Sequence, residues 1–355
     1  MRNRYLDLLR AIAIVRVVVY HSTGWVALTI AFPAMTVMFA LAGSLMAASI
    51  DRCGPLAAER RLRRLLPSLW AMSVIAVPAM LCTGLAWDWK VLYWAFPIQD
   101  PPANGWGSMA LSATWYLRDF LWFVLLSPLV LPVFRRLPKL SVAVPYVVLA
   151  VITLCGLTPH PIVRDMALYG GAWLLGFAHH DGMLHRLPRR RLVGLAAGLA
   201  ALGAAWIATH PGPRGYDLND IPLGNALWSA AFVLIALGFA PVATAARPRR
   251  LVTILNARAL TIYLWHVPII VAVTRIGETH GLPVRGPVGI GWRFAVIVAL
   301  VTLAVLLFGW VEDFAAGRLP VLVPGGRPRR PAEAPVSPAI PRVSHRAAMG
   351  ETVRT

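Results

Sequence analysis

Charge is scarce in this chain of 355 residues. Only 14% of positions are Asp, Glu, Lys or Arg, against roughly a quarter in an average soluble domain. The apolar share is 58% and the mean hydropathy is +0.66. A soluble protein of this size needs a large polar surface, and too few polar residues are present to make one. Cysteine is scarcer still, at three, with none of the spacings that hold a metal. Cys82 and Cys155 both fall near span ends, which leaves a disulfide open, although buried free thiols are the expectation. A small-residue cleavage site is missing after the first apolar run, and Arg10 and Arg16 interrupt that run. The N-terminus therefore reads as an uncleaved first span and not a signal peptide. No internal repeat is evident.

The few charges lie in short runs between apolar segments of about twenty residues, the length that crosses a bilayer as a helix. Ten such windows fall near residues 8–30, 33–50, 65–83, 114–134, 141–157, 165–180, 190–208, 223–244, 258–275 and 290–312. The sixth holds Gly170, Gly171 and Gly176, small residues that suit close helix packing. The expected fold class is all-α, a polytopic membrane helix bundle with about ten transmembrane helices. With the N-terminus in the cytoplasm, one set of ends holds Arg2, Arg4, Arg52, Arg60, Arg61, Arg63, Arg64, Arg135, Arg136 and Lys139. The same set adds Arg186, Arg189, Arg190, Arg191, Arg247, Arg249, Arg250 and Arg258. The other holds Lys90, Arg164, Arg214, Arg275 and Arg285, so the balance is 18 against 5. Cationic loops stay on the cytoplasmic side, which puts both termini there. The same asymmetry explains the net charge of +19 and argues against nucleic acid as a partner. Residues 1–320 read as one membrane domain. Residues 321–355, rich in Pro, Arg and Ala without periodicity, read as a disordered cytoplasmic tail.

Ionisable groups inside spans are costly and need a reason. The first span carries Asp7, Arg10, Arg16 and His21. Arg10 and His21 are about 1100° of helical rotation apart, three turns plus roughly 20°, and about 16 Å apart along the axis. They share one face, where Asp7 can pair with Arg10, while Arg16 points roughly 120° away. This makes a polar track from the cytoplasmic interface to mid-membrane. Arg10 is placed to hold an anion, and His21 to take a proton from a hydroxyl. The plainer reading has Arg10 snorkelling to the headgroups and His21 bonding a neighbouring helix. His266, about eight residues into the ninth window and about 12 Å from the inner face, lies at a similar depth. It either lines the same cavity or makes a helix–helix hydrogen bond beside Pro268. Arg118 and Asp119 are adjacent, so they are expected to point apart and to find separate partners or water. Trp87, Trp89, Tyr93, Trp94 and Trp106 fit either an interfacial aromatic belt or stacking faces for a sugar.

The stretch Tyr5-Leu6-Asp7-Leu8-Leu9-Arg10-Ala11-Ile12-Ala13 through Val18-Val19-Tyr20-His21 resembles the opening of the acyltransferase 3 family of membrane acyltransferases. That family places an Arg and a His in its first span with ten residues between them, here Arg10 and His21. Its Arg-x-x-Arg pattern is similar to Arg61-Leu62-Arg63-Arg64 with Pro67. The run from Trp115 to Pro128 resembles its Trp-x-Leu span, and Thr261 to Pro268 its Tyr-Leu-x-His motif. The resemblance covers residues 5–312. It implies transfer of an acetyl or other short acyl group from acyl-CoA, a co-substrate with no bound cofactor, to a hydroxyl of a glycan or glycosylated small molecule. It further implies His21 as base, with Arg10 and the Arg61 and Arg64 pair near the donor; Asp7, which can pair with Arg10, joins the catalytic candidates. Trp115, Arg118, Asp119, Tyr263 and His266 fall on the acceptor side or behind the base, and the expected location is the plasma membrane. The chain departs from the family at Phe39-Ala40-Leu41-Ala42-Gly43-Ser44, where many members have Ser-Gly-Phe. It departs again at Trp115-Tyr116-Leu117-Arg118-Asp119, where many have Trp-Ser-Leu and then a Glu. Arg16 is a third departure. No esterase-like domain is attached, so a stand-alone form is expected.

No Ser or Cys stands out with a base beside it, so direct attack of the hydroxyl is favoured over an acyl-enzyme. The main rival is a transporter or flippase for a polar lipid or metabolite, with the same charges lining a path. That class is expected to show inverted repeats or paired broken helices, which are not found. A third reading is a non-catalytic membrane partner or sensor.

Overall fold

The computed structural model describes residues 3–241 and 249–324. Among them ten helices are 17 to 27 residues long: α1 Arg4–Thr23, α2 Ala34–Cys53, α3 Leu56–Cys82, α4 Thr114–Arg136, α5 Pro138–Leu154, α6 Pro161–His180, α7 Arg189–Thr209, α8 Pro222–Gly238, α9 Ala259–Thr279 and α10 Gly286–Phe308. The described residues contain no strand, only an isolated bridge between Gly212 and Gly215. The ten helices fall on the ten windows. Six segments are long and apolar enough to cross a membrane: Ala27–Cys53, α3, α4, α7, α9 and α10. Helices α5 and α8 are apolar but have 17 residues each. Helices α1 and α6 carry the ions that mark the site.

Two boundaries differ from expectation for local reasons. The first window breaks at Gly24, whose φ of 70° ends α1 and lets its N–H reach the Tyr20 carbonyl at 2.7 Å. The left-handed region is where glycine ends helices without strain. His21 therefore sits in the last turn of α1, not midway along a longer helix. The third window begins early. Gly54 and Pro55 turn the chain, and Leu56-Ala57-Ala58-Glu59-Arg60 consists of good helix formers. Glu59 and Arg63 add an i,i+4 pair at 2.5 Å. Arg61 and Arg64 thus lie one helical turn apart on a rigid element, where a loop was expected.

Helix α6 is the buried centre, packed most extensively on α2 and also on α4, α5 and α8. Close approach there depends on two glycines. A methyl on Gly43 would meet the Trp173 carbonyl oxygen at 2.3 Å, and one on Gly176 would meet that of Ala40 at 2.1 Å. Small residues let backbones touch in this way. Helices α7 and α10 are peripheral, with only 22% and 17% of their apolar windows buried in the bundle, as lipid-facing helices should be.

After α10 the short helix Trp310–Ala315 turns back beneath α9. Fully buried Arg258 donates to Asp313 Oδ2 at 2.6 Å and to the Val321 carbonyl. The described chain stays tied to the bundle through that point. The expected tail lies, from 325 onward, outside the described residues, as does Arg247. All three cysteines are free. Contrary to the expectation of buried thiols, Cys82 and Cys155 are exposed and Cys53 is half-buried.

Candidate active site

Residues from α1, α4, α6 and α9 enclose a cavity of about 510 Å³, closed at the sides by the connections around Asp100 and Arg214. His21, Tyr20 and Arg16 line it from α1, Trp115 and Arg118 from α4, Asp165 and Tyr169 from α6, and Tyr263 from α9. His21 is open to the cavity, with its ring 5.1 Å from Tyr20 and 5.2 Å from His266 between centroids. The two histidines seen in the sequence are therefore in contact. His266 is fully buried, and its Nδ1 lies 2.6 Å from the Tyr263 carbonyl. A carbonyl can only accept, so Nδ1 carries the proton and donates. This bond lies within α9, not between helices as one reading held. Nε2 of His266 has no hydrogen-bond partner among the described residues.

The opposite wall holds a dense ion cluster. Arg118 is 2% exposed and Asp119 0%. The Arg118 guanidinium donates to Asp119 Oδ1 at 2.9 Å, to Asp100 Oδ2 at 2.5 Å and to Asp165 Oδ2 at 2.5 Å. The expectation that neighbours Arg118 and Asp119 point apart, or sit in water, is overturned. Arginine is long enough to fold back across the helix to the next residue, and burial leaves it no water to prefer. Asp119 Oδ2 is buried without a hydrogen-bond partner among the described residues. Beside the cluster, Trp115 stacks on Tyr169 at 5.6 Å and 20°, offering a flat aromatic face. Tyr263 donates its hydroxyl to the Ala113 carbonyl at 2.8 Å. None of the five loop aromatics singled out in the sequence lines the cavity. Trp94 is buried and donates to the Pro102 carbonyl, and Trp106 donates to Thr83.

The connection before α8 closes the cavity beside His21. The Tyr20 hydroxyl donates to Asp217 Oδ2 at 2.5 Å and accepts from Arg214 at 2.8 Å and Asn219 at 3.0 Å. Arg214 also grips Asp220 through both carboxylate oxygens, at 2.9 and 2.7 Å. This pairing holds the Asp220 carboxyl below the usual carboxylate range and raises Arg214 further.

Arg10 does not reach this cavity. It lies toward the other end of α1, within electrostatic range of Arg61, Glu312 and Tyr116. Arg61 feels Arg64 and Arg52 as well. Asp7 pairs with Arg4 at 3.6 Å. Glu312 accepts from the Thr261 amide at 2.8 Å and hydroxyl at 2.6 Å, capping the start of α9. Its burial pushes its carboxyl above the usual range, against those bonds. Between the two ends stand rings. Tyr116 is 5.0 Å from Tyr263, which is 5.6 Å from His266. A run of contacting rings thus leads from Tyr116 through Tyr263 to the two histidines, with Arg10 and Arg61 within electrostatic range of its Tyr116 end.

A family model described as an acyltransferase domain, acyltransferase 3, matches residues 3–311. The chain belongs to this family. No curated protein and no solved structure matches it. Membership makes the protein a membrane acyltransferase, with nearly all of its described helices inside the family domain. The residues that sequence reasoning missed are Tyr20, Asp100, Asp165, Arg214 and Asp217. Asp165 opens the sixth window, so the rule that flags ions in spans covers it. Arg293, which donates to Thr274 and to the Ser22 carbonyl, falls under the same rule. Asp100, Arg214 and Asp217 come from connections, where charge carries no such signal. Outside the cavity, Asp51, His180 and Asp181 cluster like metal ligands. Arg135 already donates to both carboxylates at 2.8 to 2.9 Å, so they form an ion-pair network joining α2, α4 and α6.

Proposed function

We propose that the protein is an O-acyltransferase of the plasma membrane, moving an acetyl or other short acyl group from acyl-CoA to a hydroxyl of a glycan or glycosylated small molecule. In this reading all ten long helices cross the bilayer and both termini are cytoplasmic. The Arg10 end of α1 then faces the cytoplasm and the cavity faces out. The observation that carries the reading is the division of α1 into an arginine-rich end and a cavity end bearing His21 against His266.

Acyl-CoA docks at the arginine-rich end, where Arg61 and Arg64 hold its phosphates. Planar guanidinium forks bind phosphate in a bidentate way. Arg10, oriented with Asp7 on the first turns of α1, guides the acyl arm, whose passage toward His21 requires the contacting rings of Tyr116 and Tyr263 to separate. The acceptor hydroxyl lies at His21, with its sugar ring on Trp115. His21 takes the hydroxyl proton as the oxygen attacks the thioester carbonyl. The carbon–sulfur bond then breaks, and the proton passes to the leaving CoA thiolate. His266, Arg118 and Asp119 stand behind these groups and fix the shape of the cavity.

The test supplies labelled acyl-CoA to membranes carrying wild-type protein or His21→Ala at equal levels. Glycans, lipids and small metabolites are then searched for label. A labelled hydroxyl ester present only with wild type is the expected result. Equal labelling in both membranes removes His21 from the chemistry.

A further inference from the structure

Three of the four arginines on the cavity wall are in direct contact with a carboxylate. Asp100, Asp119 and Asp165 share Arg118, and Arg164 meets Asp165 at 3.1 Å. Arg214 meets Asp217 at 3.2 Å and Asp220 at 2.7 Å. Arg16 is only 9% exposed, yet among the described residues it has no salt bridge. Its Nε donates to the Leu28 carbonyl at 3.0 Å, and its guanidinium lies 4.9 Å from the centre of the Tyr20 ring. Asp217 acts on it electrostatically but is held by Tyr20, Asn219 and Arg214. A buried guanidinium without a counter-ion in a membrane helix is costly to keep. Here its fork, less the one bond to Leu28, borders an open cavity.

Geometry puts Arg16 beside the reacting position. It lies five residues before His21 on α1, about 7.5 Å along the axis. The bond to Leu28, beyond the end of α1, shows that its side chain extends toward the His21 end. Both residues line the same cavity. Arg118 and Arg164 hold Asp100, Asp119 and Asp165, and Arg214 holds Asp217 and Asp220, so among the described residues Arg16 is the arginine of the cavity wall that no carboxylate touches.

We infer that the cavity accepts a sugar bearing an anionic group, a carboxylate or a phosphate, that Arg16 binds while a hydroxyl of the same molecule lies at His21. The anion-binding half stands on the cavity alone. The placement of the hydroxyl rests on the acyl-transfer reading above. Arginine suits the task because it is weakly hydrated and its planar fork fits both anions.

The experiment uses the full chain in lipid nanodiscs and reads the thermal unfolding midpoint. Methyl glucoside, methyl glucuronoside and glucose 1-phosphate are the probes. The wild type should be stabilised by an anionic sugar and not by the neutral glycoside, and comparison of the two anionic probes separates carboxylate from phosphate. Arg16→Gln should lose that shift, and Arg16→Lys should keep part of it. No shift with either anionic sugar, an equal shift with the neutral one, or an unchanged shift in Arg16→Gln overturns the inference. If Arg16→Gln does not fold, the comparison of charged and neutral sugars on wild type still decides. Binding is read without turnover, so failure of acyl transfer leaves this result intact, and the reverse also holds.

Discussion

The two ends of α1 handle charge in opposite ways. At the His21 end almost every ion is matched, with Arg118 ringed by three aspartates and Arg214 locked to Asp217 and Asp220. At the Arg10 end like charges gather. Arg10, Arg52, Arg61 and Arg64 lie within range of one another or of a shared neighbour, with Glu312 among the carboxylates near Arg10. Matched ions bury well and fix a shape. Unmatched like charges repel and are kept only where a polyanion or the headgroup region offsets them. One end is thus built as a shaped pocket, and the other as a landing place for a highly charged molecule.

The largest expected effect sharpens the chemical side of that contrast. His21→Ala should lower acyl transfer by roughly 10²- to 10⁴-fold, the range for losing a general base, while leaving the thermal midpoint near wild type. Turnover and unfolding measured on the same preparation check both halves. Arg118→Ala should act on stability, leaving buried Asp119 without its cation and buried Asp165 with Arg164 alone. Removing one partner of a buried ion cluster costs about 3–5 kcal/mol, readable as loss of folded protein in detergent or denaturant. Unchanged stability would show that the cluster is not buried from water.

Gly176→Ala tests the cavity end through its scaffold. The added methyl would force α6 from the Ala40 carbonyl of α2, and Asp165 on α6 would move relative to Arg118. Overpacking of this kind costs about 1–3 kcal/mol, so both the midpoint and the activity should fall. At the other end, Arg64→Ala should leave stability within about 0.5 kcal/mol, since Arg64 is exposed. Its KM for acyl-CoA should rise about tenfold, as expected for a charge-assisted hydrogen bond of about 1.5 kcal/mol, and the effect should shrink in high salt. Steady-state kinetics at two ionic strengths separate this from a structural loss.

The smallest effect concerns pH. Asp220 has its carboxyl lowered in the fold by Arg214. Its contribution is therefore complete above the unfolded value near pH 4 and is lost as pH falls through the lower folded value. Hydrogen exchange across residues 210–221, taken relative to the intrinsic rate at each pH, should stay slow at pH 6 and quicken below about pH 4. Asp220→Asn should be quick at both.

The ten-helix plan was legible because hydrophobic runs and arginine placement are both set by the bilayer, locally and along the chain. His21 and His266 stood out as costly ions inside spans, whereas Arg61 and Arg64 read as part of a cationic loop and drew notice only through the family resemblance. The position of His21 along α1 was misread because Gly24 ends the helix inside an unbroken apolar window. The link between Arg118 and Asp119 was missed because helical rotation describes where Cβ points, not where a long side chain ends. Asp100 and Arg214 reach the cavity from connections. Nothing in a single chain's pattern places a loop over a helix sixty or two hundred residues away.

The central claim is that donor and acceptor approach from opposite ends of α1. Sealed, oriented membrane vesicles test it directly, with labelled acyl-CoA supplied either inside or outside and acceptor glycans on the opposite face. The account predicts transfer only when acyl-CoA faces the Arg10 end and the acceptor faces the His21 end, and none with His21→Ala. Transfer that proceeds equally with both substrates on the Arg10 side would contradict it.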